Sequence, residues 1–200
     1  MSGNRMTYVI LTIVLLVAVV GWKMTSRSAY ESARFTVVKS DGPFEIREYP
    51  DLMMATTAMD SRRTDGGDGS FSRLFGYITG ANEGKQKVAM TTPVFMESDD
   101  DEPAGQMGFV IPNQVAFENR IPNPTRNDVQ IRKRAGGRFA TLRFTGRLEN
   151  DAAEAEEKLR QWIQQNDLKI DGAVELAGYD PPWTPGPLRR NEVLIRLQAN

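Results

Sequence analysis

The chain contains neither histidine nor cysteine. That excludes a Ser-His-Asp triad, a thiolate nucleophile and histidine or cysteine ligation of any metal. Chemistry would fall to carboxylates, hydroxyls, lysines or tyrosines, and a metal would need oxygen donors. The densest carboxylate cluster is "ESDDDEP" at 97–103. It could bridge a calcium ion, but a charged hairpin loop that keeps the surface soluble explains it more simply. "DGGDGSFS" at 65–72 invites a phosphate-loop reading. It lacks the Lys-Ser/Thr of a P-loop, and Ser72 stands where a Gly-x-Gly-x-x-Gly motif needs glycine. Read as a calcium loop from Asp65, it puts Gly67, Gly69 and Gly76 where ligands belong. A solvated loop fits better. The hydroxyls of "MTTP" (90–93) and "FTG" (144–146) have no base to activate them and read as strand residues. No constellation supports an enzyme.

The helix pattern "SFSRLFGYITG" (70–80) is more informative. Phe71, Leu74, Phe75 and Ile78 recur on one helical face. Ser70 is a candidate N-cap and Gly80 a candidate C-terminal residue. Gly76 sits mid-helix, where glycine costs about 1 kcal/mol relative to alanine. Either the helix packs closely on a sheet there, or a flat ligand approaches. The last unusual stretch is "GYDPPWTPGPLRRNEVLIRL" (178–197), whose prolines stiffen a loop just before an apolar strand.

These segments must be placed by a domain of ordinary make-up. The 200 residues are 40% hydrophobic and 26% charged, as in globular proteins. A net charge of −1 gives no electrostatic reason to expect nucleic-acid binding. Residues 6–22, "MTYVILTIVLLVAVVGW", carry no charge and are long enough for a short membrane-spanning helix. Val19-Val20-Gly21-Trp22 makes a poor signal-peptide cleavage site. We expect 1–34 to be a membrane anchor and polar tether, with the folded domain at 35–200 lying outside the cytoplasm.

Within 35–200 two halves align at an offset of 85 residues. Ile46-Arg47 lies over Ile131-Arg132, and Ala55-Thr56 over Ala140-Thr141. "RLFGYI" (73–78) lies over "KLRQWI" (158–163). Each half reads as strand, strand, helix, strand, strand. In the first, strands fall at 44–48, 53–59, 87–96 and 106–112. In the second they fall at 129–133, 139–145, 173–179 and 192–197, around a helix at 149–166. Ala152, Ala155, Leu159, Trp162 and Ile163 form that helix's apolar stripe. Two such units predict an α+β fold whose sheets join into one curved or barrel-like structure.

"FEIREYP", "FSRLFGYITGANEGKQKVAMTTPVFM", "GFVIP", "VQIRKR" and "GYDPPWTPGPLRRNEVLIRL" occur in this order and together resemble the SOUL haem-binding protein family. The resemblance implies a duplicated, distorted antiparallel β-barrel flanked by two helices. It also implies a non-enzymatic protein that binds haem or a related tetrapyrrole, for buffering or transport. The pocket is expected between the first helix and the proline-rich loop, at Phe71, Leu74, Phe75 and Ile78 on one side and Trp183 and Thr184 on the other. Lysines that some members carry on the helix and in the loop are Gly76 and Thr184 here. Arg73, Lys85, Lys87, Arg189 or Arg190 would then supply the positive charge. With no histidine, iron would rely on Tyr77, Tyr179 or a methionine, or on apolar contact alone. Arg189 or Arg190 also has a structural reading, pairing with Glu192 or Asp180 to fix the loop. The alternative function is a sensor or binding module for another small hydrophobic ligand on the same fold.

Overall fold

The computed structural model describes residues 8–12, 30–59, 67–97, 105–118, 120–181 and 183–199. Each half of the chain gives the same five elements. The first half is β3 (Phe44–Tyr49), β4 (Leu52–Ala58), α1 (Ser70–Ile78), β6 (Val94–Glu97) and β7 (Gln106–Val110). The second is β8 (Gln130–Arg134), β9 (Gly137–Thr145), α3 (Leu148–Gln165), β10 (Ile170–Gly178) and β11 (Arg190–Leu197). Outside the repeat lie β1 (Glu31–Ser32), β2 (Thr36–Asp41), β5 (Thr91–Thr92) and a short helix α2 (Asn113–Phe117).

The strand order of the main sheet is β2-β3-β9-β11-β10-β6-β7-β4-β8. Without β2 it reads the same from either end once each strand is replaced by its repeat equivalent. The seam between the halves is the antiparallel β10–β6 pair, with Leu176 opposite Met96 and Gly178 opposite Val94. The first strand of each half is exchanged. β3 pairs with β9 of the second half, and β8 pairs with β4 of the first. The residues linking β3 to β4 and β8 to β9 therefore cross. A Cβ on Gly136 would stand 2.5 Å from the Tyr49 carbonyl oxygen and 2.6 Å from the Pro50 carbonyl carbon. Only glycine fits this crossing. Asp51 closes it by accepting the Gly136 N–H at 2.8 Å.

The sheet is not a closed barrel: among the described residues β2 and β8 end the strand order and do not pair with each other. Closure would need the outer edge of β3, and β2 already occupies that edge in antiparallel register. β1 and β5 form a separate parallel pair.

Side chains alternate between the two faces of the sheet. Val193, Ile195 and Leu197 of β11 pack with Ala155, Leu159, Trp162 and Ile163 of α3. Leu194 joins Tyr49, Met54, Phe95 and Phe139 on the opposite, concave face. Helix α1 covers the other half, with Leu74, Tyr77 and Ile78 against Ala55, Met96, Met107 and Phe109. Both helices thus lie on one face, either side of the seam.

Of the expected membrane segment, only residues 8–12 are described, as a helical stretch. The rest of 6–22 lies outside the described residues, as do 98–104 of the acidic loop and 64–66 of the glycine-rich loop. Among the described residues no helix is long and apolar enough to cross a membrane.

Candidate ligand-binding site

Helix α1 is fixed at both ends. Asp68 performs the capping expected of Ser70: its Oδ1 accepts the Ser70 N–H at 3.0 Å and the Ser70 hydroxyl at 2.6 Å. Gly80 ends the helix with φ at 121°. Beneath the helix the Tyr77 hydroxyl donates to the Pro122 carbonyl at 2.8 Å, and Asn82 Nδ2 donates to the Tyr77 carbonyl at 2.7 Å. Burial pushes the Tyr77 hydroxyl up to about 12. Phe71 and Phe75 lie on the helix flank, stacked at 6.0 Å, and Phe71 meets Phe109 edge-on at 5.3 Å.

The proline-rich loop is tied to the start of α3. Thr184 N–H donates to the Pro181 carbonyl at 3.0 Å, and Arg189 Nε donates to the Thr184 carbonyl at 2.8 Å. Gly146 N–H donates to the Gly186 carbonyl at 3.1 Å. A Cβ on Gly186 would touch Arg147 Cγ at 3.5 Å, so the Arg147 stem runs along this loop. The Arg190 N–H donates to Asp180 Oδ2 at 2.6 Å, and Arg190 Nη2 pairs with Glu192 Oε1 at 2.6 Å. This is the loop-fixing role read from the sequence.

Between α1, the loop and the start of α3 lies an open cavity of about 440 Å³, directly over the seam of the two repeats. Its floor comprises Val94 and Met96 of β6 and Gly178 of β10, with Met107 alongside. Phe71 and Leu148 contribute apolar walls. Arg147 and Arg189 bring positive charge to it, and Glu149 and Asp180 negative charge. The volume lies in the range of small-molecule sites, and polar or charged residues, Asn150 and Asn191 among them, make up half of the lining.

The concave face is filled instead. Arg47 forms a two-pronged pair with Glu192, at 2.6 Å and 3.1 Å, and the Tyr179 hydroxyl donates to Glu192 Oε2 at 2.9 Å. Burial pushes the Glu192 carboxyl up, but hydrogen bonds and charge from Arg47 and Arg190 outweigh it and hold the group below its ordinary value. Burial, and then Glu192, push the Tyr179 hydroxyl well above its ordinary value. Arg134 pairs with Glu175 at 2.6 Å and lies over the rings of Phe139, Phe95 and Tyr49 at 4.4, 4.6 and 5.2 Å.

A family profile described as SOUL heme-binding protein matches residues 30–196. The chain belongs to the SOUL heme-binding protein family. This is a binding family and not one of enzymes. Heme-binding protein 1 of Xenopus laevis is 30% identical over 157 residues, covering 75% of this chain and 81% of that protein. Human Heme-binding protein 2 is 29% identical over 169 residues, covering 80% of each. The fold extends further. It matches the EcmrR chain of a cryo-EM EcmrR–DNA complex at a TM-score of 0.60 and 11% identity, over 78% of this chain and 57% of that one. It matches a Listeria innocua protein, titled a hydrolase, at 0.53 and 10%, over 80% and 94%.

The residues that SOUL resemblance singles out take different places. Phe71 and Arg189 line the cavity. Phe75 is 48% exposed beside Phe71, and Trp183 is 73% exposed outside the lining. Leu74 and Ile78 are buried under α1 against the sheet. Thr184 is buried, and its carbonyl holds Arg189. Arg190 stacks over the Tyr179 ring at 4.1 Å and serves Glu192. Arg73 bonds Thr57 and the Ala58 carbonyl and lines a separate polar pocket. A Cβ on Gly76 would meet only the Ala81 Cβ at 3.9 Å, so close packing on the sheet does not explain that glycine. Sequence reasoning missed Met96, Met107, Arg147, Leu148 and Gly178.

Proposed function

We propose that the chain binds haem or a related tetrapyrrole in the seam cavity, to buffer or carry it. The observation that carries this reading is the joining, in one cavity, of the Phe71 wall and apolar floor to two arginines, Arg147 and Arg189. A flat apolar body would lie against the floor, where Gly178 presents no side chain. Its carboxylate edge fits the arginines, which would hold it by charge-assisted hydrogen bonds. These two take the place of the lysines absent at Gly76 and Thr184. The loop needs no ordering on binding, because its own hydrogen bonds fix it in advance. When bound, haem supplies a redox-active iron; the chain supplies the slot, the carboxylate anchors and exclusion of water from one ring face. The apolar segment 6–22 would tether the domain to a membrane, with the domain outside the cytoplasm.

A titration of the full chain in detergent, followed by the Soret band, tests the reading, with haemin and iron-free protoporphyrin in parallel. Saturable one-to-one binding of either supports it. Absence of saturable binding of both overturns it and favours the second reading, a module for another hydrophobic ligand. That second reading is supported by the acidic Glu149 and Asp180, which offset the two arginines. It concerns the same cavity, since ion pairs and stacked arginines occupy the concave face.

A further inference from the structure

Large apolar side chains stand in solvent along one line of contacts. Phe117, at the end of α2, is 93% exposed. Helix α2 packs Val115 and Ala116 onto the core cluster that α1 covers. On the flank of α1, the half-exposed Phe75 stacks on Phe71, which lines the seam cavity. On the loop side of the cavity, Trp183 and Leu188 are 73% and 66% exposed, between the lining residues Asp180 and Arg189. The Thr184 and Leu188 N–H groups donate to the Pro181 and Pro185 carbonyls at 3.0 and 2.9 Å. With its prolines, the loop is thus held in a shape that keeps both apolar tips in water.

The chain enters the fold at the α2 end of this line. Asn113, the first residue of α2, donates its N–H and its side-chain amide to Glu31 Oε1, at 3.0 and 2.8 Å. Residues 23–30 separate Glu31 from the apolar segment 6–22, and fully extended they span at most about 29 Å. A domain of this length has a radius of gyration of roughly 15 Å, so as a sphere it is about 40 Å across. A face opposite Glu31 therefore cannot be turned onto a bilayer that holds 6–22.

We propose that Phe117, Phe75, Trp183 and Leu188 form a bilayer-docking surface that seats the mouth of the seam cavity on the membrane. The inference rests on the tether reading above. The partner is the interfacial zone of a phospholipid bilayer, where aromatic side chains settle and apolar ones reach the acyl boundary. Arg147, exposed at the mouth, meets lipid phosphate. Glu149 and Asp180 keep the charge there mixed, so docking needs no anionic lipid. The consequence is a slot that exchanges its ligand with lipid directly.

The chain has no cysteine, so single cysteines can carry a polarity-sensitive fluorophore. Phe117→Cys, Trp183→Cys and Leu188→Cys are labelled in the full chain and reconstituted in phosphatidylcholine vesicles. Val38→Cys is the reference, because Val38 is also exposed but lies on β2, four places from the seam strand β10. Labels at 117, 183 and 188 should shift to the blue and lose emission to brominated lipid chains. The label at 38 should be quenched only by aqueous iodide. Labels at 183 and 188 that stay open to iodide, or lipid quenching at 38 alone, overturn the docking surface and leave the tether reading standing. A chain that an alkaline carbonate wash strips from the vesicles overturns the tether reading, and this inference with it. Lipid-quenched labels in a chain that binds no protoporphyrin support the surface and overturn the cavity reading alone.

Discussion

Arg47 and Glu192 are 145 residues apart and meet through two hydrogen bonds inside the curled sheet, with side chains 1% and 0% exposed. The pair ties β3 of the first repeat to β11 of the second. Glu192→Gln leaves the Arg47 charge buried with a weakened partner and should destabilise the protein by roughly 3 kcal/mol at neutral pH. The folded-state value of Glu192 is depressed, so this stability is present above the unfolded carboxyl's value and is lost as pH falls through the folded one. Urea unfolding of both proteins should therefore show a gap at pH 7 that narrows in acid. A gap independent of pH would refute the assigned protonation.

The flank and the underside of α1 should respond in opposite ways. Leu74 is fully buried, and Leu74→Ala should cost about 2–5 kcal/mol. Phe75 is 48% exposed, so Phe75→Asp should leave the fold largely intact while disturbing the Phe71 wall that it stacks on. Thermal unfolding and haemin titration of the two variants check this. A Phe75→Asp protein that unfolds would show that Phe75 belongs to the core.

Gly178 lines the cavity floor without a side chain. A Cβ there meets Leu148 Cδ1 at 3.5 Å and Met96 Cε at 3.8 Å, which is ordinary contact. Gly178→Leu should fold and fill the space a ring would take. Loss of tetrapyrrole binding with retained cooperative unfolding is the expected result. Undiminished binding would place the ligand elsewhere.

Arg147 is a test of chemistry more than of shape. Replacing it with glutamine should weaken protoporphyrin binding about tenfold, the size of one charge-assisted hydrogen bond. Protoporphyrin dimethyl ester should bind wild type and Arg147→Gln alike. Equal losses for acid and ester would mean that the arginine stem packs against the ring and its charge is unused.

Gly136→Ala should destabilise the protein by about 1–3 kcal/mol or more, because its Cβ would meet backbone atoms that cannot swing aside. Gly84→Ala is the contrast, since a Cβ there approaches only the Gln86 side chain, at 3.4 Å, and strain from φ at 78° is its main cost. Chemical denaturation of both variants compares a crossing of two chain segments with a surface turn.

Much of the fold is legible in the sequence, and its strand pairing is not. Ile46-Arg47 over Ile131-Arg132 exposes the repeat because equivalent strands bury equivalent faces. The α3 stripe from Ala152 to Ile163 is buried as its spacing predicts. Pairing partners are another matter: nothing local in "FEIREYP" says that β3 will leave its own half and lie beside β9. The site was partly legible for a similar reason. Phe71, Leu74, Phe75 and Ile78 share one apolar arc, but that arc is wider than the contact with the sheet. Periodicity cannot say that Leu74 and Ile78 go beneath while Phe71 and Phe75 remain on the flank. Arg147 gave no signal, since its place at the cavity depends on a loop that lies near Gly186 in space and far from it in sequence.

The exchange of β3 and β8 has a consequence for the history and the engineering of this architecture. A single copy of the repeat would lack the strand that completes its own sheet, and would leave its first strand without a neighbour. Such a copy is whole only when two come together and trade strands, as an intertwined homodimer. Fusing them in tandem removes the dependence on concentration, and it frees the two seam-facing surfaces to diverge. One half could then contribute an aromatic wall and the other an arginine to a cleft that a symmetric ancestor would have had to line twice with the same residues.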